Sequence, residues 1–116
     1  MPLDIEINAA EEKVTIRLPV KFDMVIADNF RDAVRKLPEY VLHYELDMEN
    51  TTYMDAAALG SMMLLKHENP EAKTMEVINC NNDIYRILML MDYDRMFCIK
   101  PHASLLQEND SFVRIA

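Results

Sequence analysis

Only one glycine, Gly60, occurs in the 116 residues of this chain, and tryptophan is absent. A glycine-rich loop that wraps a phosphate group needs several glycines close together, so the sequence excludes a nucleotide-binding loop of that kind. The two cysteines, Cys80 and Cys98, are too few for a disulfide framework and do not have the spacing of a metal-binding motif. We expect both to be small buried thiols in a reducing compartment.

Basic residues are also scarce. Twelve lysines and arginines are outnumbered by 20 aspartates and glutamates, which gives a formal net charge of -8. Nucleic acids and anionic bilayers repel such a chain, so we expect no direct binding to either. No apolar run approaches the roughly 18 residues of a membrane span, and the first residues lack the pattern of a secretory signal. These absences predict a cytoplasmic protein, and the length of 116 residues predicts a single domain over residues 1–116.

The spacing of the apolar residues predicts an α/β fold. Segments 3–8 and 13–18 alternate apolar and polar residues, which indicates two strands of a hairpin with one polar face. Helix-type spacing at 26–37, after a possible N-cap at Asp23, is followed by strand-type alternation at 42–48, and this exchange continues along the chain. The order β-β-α-β-α-β-α-β predicts a mixed sheet of four to five strands with the helices packed on one face.

The sequence also allows predictions for the third helix and for the C-terminal tail. A third helix, capped by Asn81 or Asn82, is expected to bury one stripe of side chains: Ile84, Ile87, Leu88 and Met91. The tail from about residue 101 is ambiguous, because Leu105 and Leu106 fit a short helix while "FVRI" fits a strand.

Residues that could perform catalysis are scattered. The three histidines each lie alone in their neighbourhood: His43, His67 and His102. No catalytic triad can be assigned from spacing, because triads are defined by geometry. Asp47, Glu49 and Asp55 lie close together in the sequence, but such residues more often face solvent or cap helices than hold a divalent cation. We expect neither enzymatic activity nor a bound metal or cofactor.

The second predicted helix, in "YMDAAALGSMMLLKH" at 53–67, contains the only glycine. Projection at about 100° per residue turns one side to the core: Leu59, Met62 and Met63, flanked by Ala58 and Leu65. The opposite side is small and mildly polar: Ala57, Gly60, Ser61 and Leu64. A glycine inside a helix costs about 1 kcal/mol relative to alanine. Either close approach of another chain or packing against a neighbouring helix of the same domain would explain Gly60.

The start of this helix is a natural anion site, because its N–H groups are unpaired and the helix dipole is positive there. A phosphorylated serine in the first turn would add negative charge to a flat apolar face. The sequence has Ala56 at this point.

The segment "MDAAALG" resembles the signature of the STAS domain, a family named for sulfate transporters and anti-sigma factor antagonists. That signature is an aspartate, a phosphorylatable serine, small residues, a leucine and a glycine, and here Asp55, Leu59 and Gly60 match. "VKFDMVIADNFRDAV", with Phe22 and Asp23, resembles the family's loop before the first helix. "INCNNDIYRILMLMDYDRMFCI" resembles its fourth strand, third helix and last strand. The details "FRDAV" and "ALG" look most like stand-alone proteobacterial regulators of biofilm, exopolysaccharide and secretion.

The resemblance implies a non-enzymatic anti-sigma factor antagonist in a partner-switching pathway. In such pathways the unphosphorylated STAS protein binds an anti-sigma factor with serine kinase activity of the GHKL type, or a related response-regulator partner. Phosphorylation of the serine releases the complex, and a metal-dependent serine phosphatase restores it. The implied output is transcription, biofilm or polysaccharide production, and the free protein is expected to be a monomer.

The same resemblance assigns the site residues by position. Asp23 and Asp55 would shape the docking site, and Ala56 occupies the phosphoacceptor position. The approach surface would consist of the small residues of the helix and their neighbours: Ala57, Ala58, Gly60, Ser61 and Leu64. Alanine has no hydroxyl group, so Ala56 cannot be phosphorylated. Either a parent serine was changed to lock the unphosphorylated state, or a natural STAS domain binds constitutively.

Three further possibilities stay open from sequence. Thr51, Thr52 or Ser61 could replace the missing phosphoacceptor, although each also fits a cap or surface role. The chain could instead be a STAS accessory subunit of a membrane transporter without a phosphoswitch. It could also sense a small ligand in a pocket between the sheet and Asp23.

Overall fold

The alternating segments near the N-terminus form the expected hairpin. In the computed structural model, which describes residues 3–103, β1 (Asp4–Asn8) pairs antiparallel with β2 (Lys13–Arg17). β1 is an edge strand of the sheet. Its Ile7, expected on the inner face, is 42% exposed because the edge is only partly covered.

Strands and helices then alternate along the chain. The remaining elements are β3 (Lys21–Phe22), α1 (Met24–Arg35), β4 (His43–Asp47), β5 (Tyr53–Met54), α2 (Ala56–Glu68), β6 (Thr74–Cys80), α3 (Asn82–Leu90), a short 3-10 helix (Tyr93–Arg95) and β7 (Cys98–Pro101). The main sheet has the order β1-β2-β4-β6-β7, in which only the β1–β2 pair is antiparallel. The predicted mixed α/β sheet is confirmed. The sequence did not predict β3 and β5, which form a separate parallel pair.

The two faces of the main sheet differ because successive side chains of a strand point to opposite sides. Val14 and Ile16 of β2, Leu46 of β4 and Val77 of β6 are fully buried beneath the helices. The other face is polar and carries ion pairs between neighbouring strands, such as Lys13 Nζ with Glu45 Oε2 at 3.2 Å. One covered face and one polar face are what the alternation of the sequence predicts.

Each of the three α-helices begins at a side-chain cap. Asp23 caps α1, Asp55 caps α2 and Asn81 caps α3, and each side-chain oxygen accepts from a backbone N–H three residues later. Such a cap satisfies one of the N–H groups that a helix start leaves unpaired. The cap expected at Asp23 is confirmed, and of the two asparagines proposed for α3 the structure selects Asn81.

Two further expectations about burial, at Met91 and Cys98, were also wrong. Met91 is 56% exposed, because α3 ends at Leu90 and the chain turns away before Met91 can extend the buried stripe of Ile84 and Leu88. Cys98 is exposed, because in β7 it lies on the open face of the sheet, whereas Cys80 is buried as expected. The tail expectations for Leu105, Leu106 and "FVRI" lie outside the described residues.

Candidate functional site

The short strands β3 and β5 bring the first turns of α1 and α2 together. Lys21 pairs with Tyr53 and Phe22 with Met54, and the N–H of Asp55 extends this ladder to the carbonyl of Phe22 at 3.4 Å. Each strand leads directly into its helix. Two helix N-termini therefore lie side by side, and we call this region the helix-start junction, comprising residues 20–26 and 51–58.

Asp55 links the two helices at the junction. Its Oδ1 accepts from the N–H of Ala58 at 2.9 Å, which caps its own helix. Its Oδ2 accepts from the N–H of Met24 at 3.0 Å, which satisfies the first N–H of α1. A carboxylate that accepts hydrogen bonds from two backbone N–H groups in this way neutralises part of the positive potential of both helix ends. Asp55 is therefore a structural bridge between α1 and α2.

Asp23 has a narrower role, because among the described residues its Oδ1 accepts only from the N–H of Ile26 in its own helix, at 3.2 Å. The loop before β5 is held independently. The hydroxyl of Thr51, which is fully buried, donates to the carbonyls of Leu18 at 3.3 Å and Pro19 at 2.9 Å. The Nδ2 group of Asn81 donates to the carbonyl of Thr51 at 3.3 Å. Side-chain bonds thus fix the junction from several sides.

Ala56 is the first residue of α2 and is exposed to solvent. The junction also exposes apolar side chains that the sequence analysis did not assign to the site: Val20 (53% exposed), Met24 (62%), Val25 (62%) and Tyr53 (49%). Isolated exposed apolar residues are ordinary, but a group of them next to one helix start is typical of a protein-binding surface. The signal in the sequence is positional, since Met24 and Val25 precede the first buried turn of α1.

The outer face of α2 continues from Ala56 along the helix. Gly60 lies one turn further, with Leu64 and the 43%-exposed Met63 beyond it. Among the described residues, no atom outside the local helix would lie within 4 Å of a Cβ added at Gly60. Packing within residues 3–103 therefore does not require this glycine, which argues against the intramolecular one of the two explanations offered from sequence.

The projected orientation of α2 was wrong by about one position. Ser61 and Ala58, assigned to the docking surface, are buried, and Met63, assigned to the core, is exposed. The hydroxyl of Ser61 donates to the carbonyl of Ala58 at 2.7 Å, so a polar residue fits the buried stripe without an unpaired group. α2 itself carries small or apolar residues on every side, so the spacing of its hydrophobic residues does not determine which side faces the core. Ser61 and Ala58 therefore lie beneath the outer face of α2 and are not part of that face.

The three hydroxyls considered as substitute phosphoacceptors differ in accessibility. Thr51 and Ser61 are 0% and 2% exposed, and both hydroxyls donate to backbone carbonyls, so neither is accessible to a kinase. Thr52 is exposed, next to the N-terminal end of β5. Burial therefore leaves only Thr52 of these three as an accessible hydroxyl.

The structure also bears on the metal site, the buried thiol and the membrane span that the sequence analysis considered. Within residues 3–103 no three His, Cys, Asp or Glu side chains are placed to hold a metal ion, so Asp47, Glu49 and Asp55 do not form a cation site. Burial raises the pKa of the Cys80 thiol to about 11, which leaves it protonated at neutral pH. None of the described helices is long and apolar enough to cross a bilayer.

Comparison with known proteins gives the family. A STAS-domain containing protein of Pseudomonas aeruginosa (strain UCBPP-PA14) is 30% identical over 93 residues, which cover 79% of this chain and 92% of the relative. The chain belongs to the STAS-domain family. A search against family models gives no match. The resemblance to the STAS family is thus confirmed.

Solved structures agree with this STAS fold. A proposed anti-sigma factor antagonist of Thermotoga maritima superposes with a TM-score of 0.71 at 18% identity over 92% of both chains. The anti-sigma factor antagonist SpoIIAA, in its unphosphorylated form, gives 0.66 at 17% over 97% of both chains. A sulfate transporter family protein of Wolinella succinogenes gives 0.69 at 12% over 80% of both chains. At these identities the matches establish the fold.

Proposed function

We propose that this STAS domain is a non-enzymatic interaction module of the anti-sigma factor antagonist type, acting in the cytoplasm. The observation that carries the proposal is the helix-start junction. There, Asp55 holds the starts of α1 and α2 together while Ala56 and an apolar group around it remain open to solvent. Such a surface is preorganised, so a docking partner does not need to order it.

The docking surface in this proposal combines the junction with the outer face of α2. Its members are Val20, Met24, Val25, Tyr53, Ala56, Ala57, Gly60, Met63 and Leu64. Ala57 and Leu64 are half-buried, and Gly60 adds no side chain, so a partner can approach the helix backbone closely. Asp23 and Asp55 shape this surface through their caps.

Ala56 fixes the functional state in this proposal, because the phosphoacceptor position has no hydroxyl. A serine there would project from the first turn of α2 into solvent. Its phosphate would find unpaired N–H groups but would also meet the carboxylate of Asp55, which already uses the N–H of Ala58. Added charge in the middle of an apolar surface would weaken docking. With alanine, the domain stays in its binding-competent form, and the proposed partner is an anti-sigma factor with kinase activity.

The proposal is tested by capture of partners from extract of the source cells with this chain and with its Ala56→Ser variant, with and without ATP. We expect both chains to bind the same kinase-like anti-sigma factor or response regulator without ATP. With ATP, only the serine variant should become phosphorylated at position 56 and lose its partner. If the serine variant keeps its partner although it is phosphorylated at position 56, the switch part of the proposal is wrong.

A pair of matched substitutions tests the surface itself. Met63→Glu adds a charge within the proposed surface, and Met89→Glu adds the same charge at a similarly exposed position on α3. We expect Met63→Glu to reduce partner capture at least tenfold, since a buried unpaired charge costs more than about 1.4 kcal/mol. Met89→Glu should leave capture unchanged. Equal effects would place the interface elsewhere.

A second candidate function is an accessory subunit of a membrane transporter without a phosphoswitch. The missing hydroxyl at Ala56 favours it, and the fold is shared with a sulfate transporter family protein. In this case both chains should capture the same transporter components whether or not ATP is present. The capture experiment therefore distinguishes the two functions.

A further inference from the structure

A cavity of about 670 Å³ lies at the opposite end of the two helices from Ala56. The C-terminal ends of α1 and α2 form its sides, and β4 contributes Tyr44. Val34, Leu37, Val41 and Ala72 provide apolar wall. This volume lies within the range of about 300–1,000 Å³ that is usual for small-molecule sites.

The lining of this cavity includes a phenol oxygen that can still accept a hydrogen bond. The hydroxyl of Tyr44 donates to Oδ1 of Asn69 at 3.1 Å, which leaves the phenol oxygen able to accept. Asn69 in turn donates from Nδ2 to the carbonyl of Leu65 at 2.8 Å. The one basic residue of the lining, Arg35, already pairs with Glu68 at 3.3 Å.

The charge of the cavity is negative. Its lining contains three carboxylates and one guanidinium, and Arg35 and Glu68 largely offset each other. Within residues 3–103, Glu39 and Glu71 lie within ion-pair distance of no basic side chain. Both helices also end here, at Arg35 and Glu68, and the C-terminal end of a helix carries partial negative charge. An anionic ligand is repelled by this arrangement, and a cation is attracted.

We propose that this cavity binds a small organic cation with an apolar body, such as an arylalkyl- or alkylammonium compound. The ammonium group would lie between the carboxylates of Glu39 and Glu71 and the acceptor oxygen of Tyr44. The apolar body would cover Val34, Leu37 and Val41. The proposal rests on the combination of volume, apolar walls and complementary charge, and it does not depend on the partner proposed for the helix-start junction.

The test is a titration of the whole chain, labelled with ¹⁵N, with 2-phenylethylamine at pH 7, followed by NMR of the backbone amides. 2-Phenylethanol serves as the neutral probe of similar shape, and 3-phenylpropionate as the anionic probe. We expect saturable shifts from the amine at Leu42, Asn69 and Ala72, weaker shifts from the alcohol and none from the acid. Equal affinity for amine and alcohol, or no saturable change at the cavity, overturns the proposal.

Two variants assign the charge preference to the cavity. Glu39→Gln and Glu71→Gln should each weaken binding of the amine by roughly two- to fivefold, the range of exposed charge pairs, and leave the alcohol unaffected. Glu49→Gln makes the same change beyond the other end of β4 and should have no effect. If Glu49→Gln weakens binding of the amine as much as the cavity variants do, the charge preference does not come from the cavity. Shifts caused by a lysine-containing peptide and not by the amine would make this a protein-docking site and overturn the small-molecule proposal.

Discussion

The two ends of the α1–α2 pair differ in how the helices are joined. At the helix-start junction, Asp55 joins them through two bonds to backbone N–H groups, and the surface is apolar and open. At the other end, a single ion pair between Arg35 and Glu68, both largely exposed, connects the helices across a charged cavity. At the first end the polar link runs to the backbone, and at the second end the ion pair joins two long side chains.

This difference follows from the direction of the helices. Both N-termini offer unpaired N–H groups that can donate hydrogen bonds to a carboxylate. One short side chain can therefore cap one helix and hold the other. The C-terminal ends offer carbonyl groups, which a carboxylate cannot bind. The side chains there leave space between the helices. A preorganised docking surface therefore suits the first end, and a small-molecule cavity suits the second.

The largest predicted effect is on the bridge at the fixed end. Asp55→Ala removes both the cap of α2 and the bond to Met24, and it should lower the free energy of unfolding by about 2–3 kcal/mol. Asp23→Ala removes only the cap of α1 and should cost about 1 kcal/mol. Urea denaturation followed by circular dichroism measures both. Equal losses would mean that the bond from Asp55 to α1 contributes nothing.

Sequence reasoning succeeded where the pattern has one physical cause. The alternation in 13–18 and 42–48 has period two because one sheet face is covered, and both segments became neighbouring parallel strands. Caps at Asp23 and Asn81 were also predictable, because a short acceptor side chain before an apolar stripe satisfies helix N–H groups. The family signature located the start of α2 correctly at Asp55.

It failed where several surfaces compete for one helix. α2 packs against α1, contributes Met62 and Leu65 to the core that the strands share, and has apolar residues on every side, so its rotation depends on tertiary contacts. Met63 was consequently predicted to be buried but is exposed, and Ser61 was predicted to be exposed but is buried. The apolar group at Val20, Met24 and Tyr53 was missed because β3 and β5 are two residues long and carry no periodic signal. The cavity was missed because residues 34–42 and 68–72 meet only in the fold.

The next prediction concerns the glycine of the docking surface. Gly60→Ala should raise the free energy of unfolding by about 1 kcal/mol, because the added methyl group meets no atom of residues 3–103 beyond its own helix within 4 Å and alanine favours the helix. The same variant should weaken partner capture, since the methyl group fills the space that the partner approaches. A chain that is more stable and binds less well would show that Gly60 serves docking. A gain in stability with unchanged binding would contradict the surface proposed for α2.

The smallest predicted effect is at the open end. The Arg35–Glu68 pair is 57% and 43% exposed, so solvent screens it, and its coupling energy should be about 0.2–1 kcal/mol. A double-mutant cycle of Arg35→Ala and Glu68→Ala, measured by urea denaturation in low and high salt, gives this value directly. The coupling should fall in high salt, whereas the loss caused by Asp55→Ala should change little, because its two bonds to backbone N–H groups are short and directional. A coupling above about 2 kcal/mol would mean that the ends of the helix pair are held with similar strength.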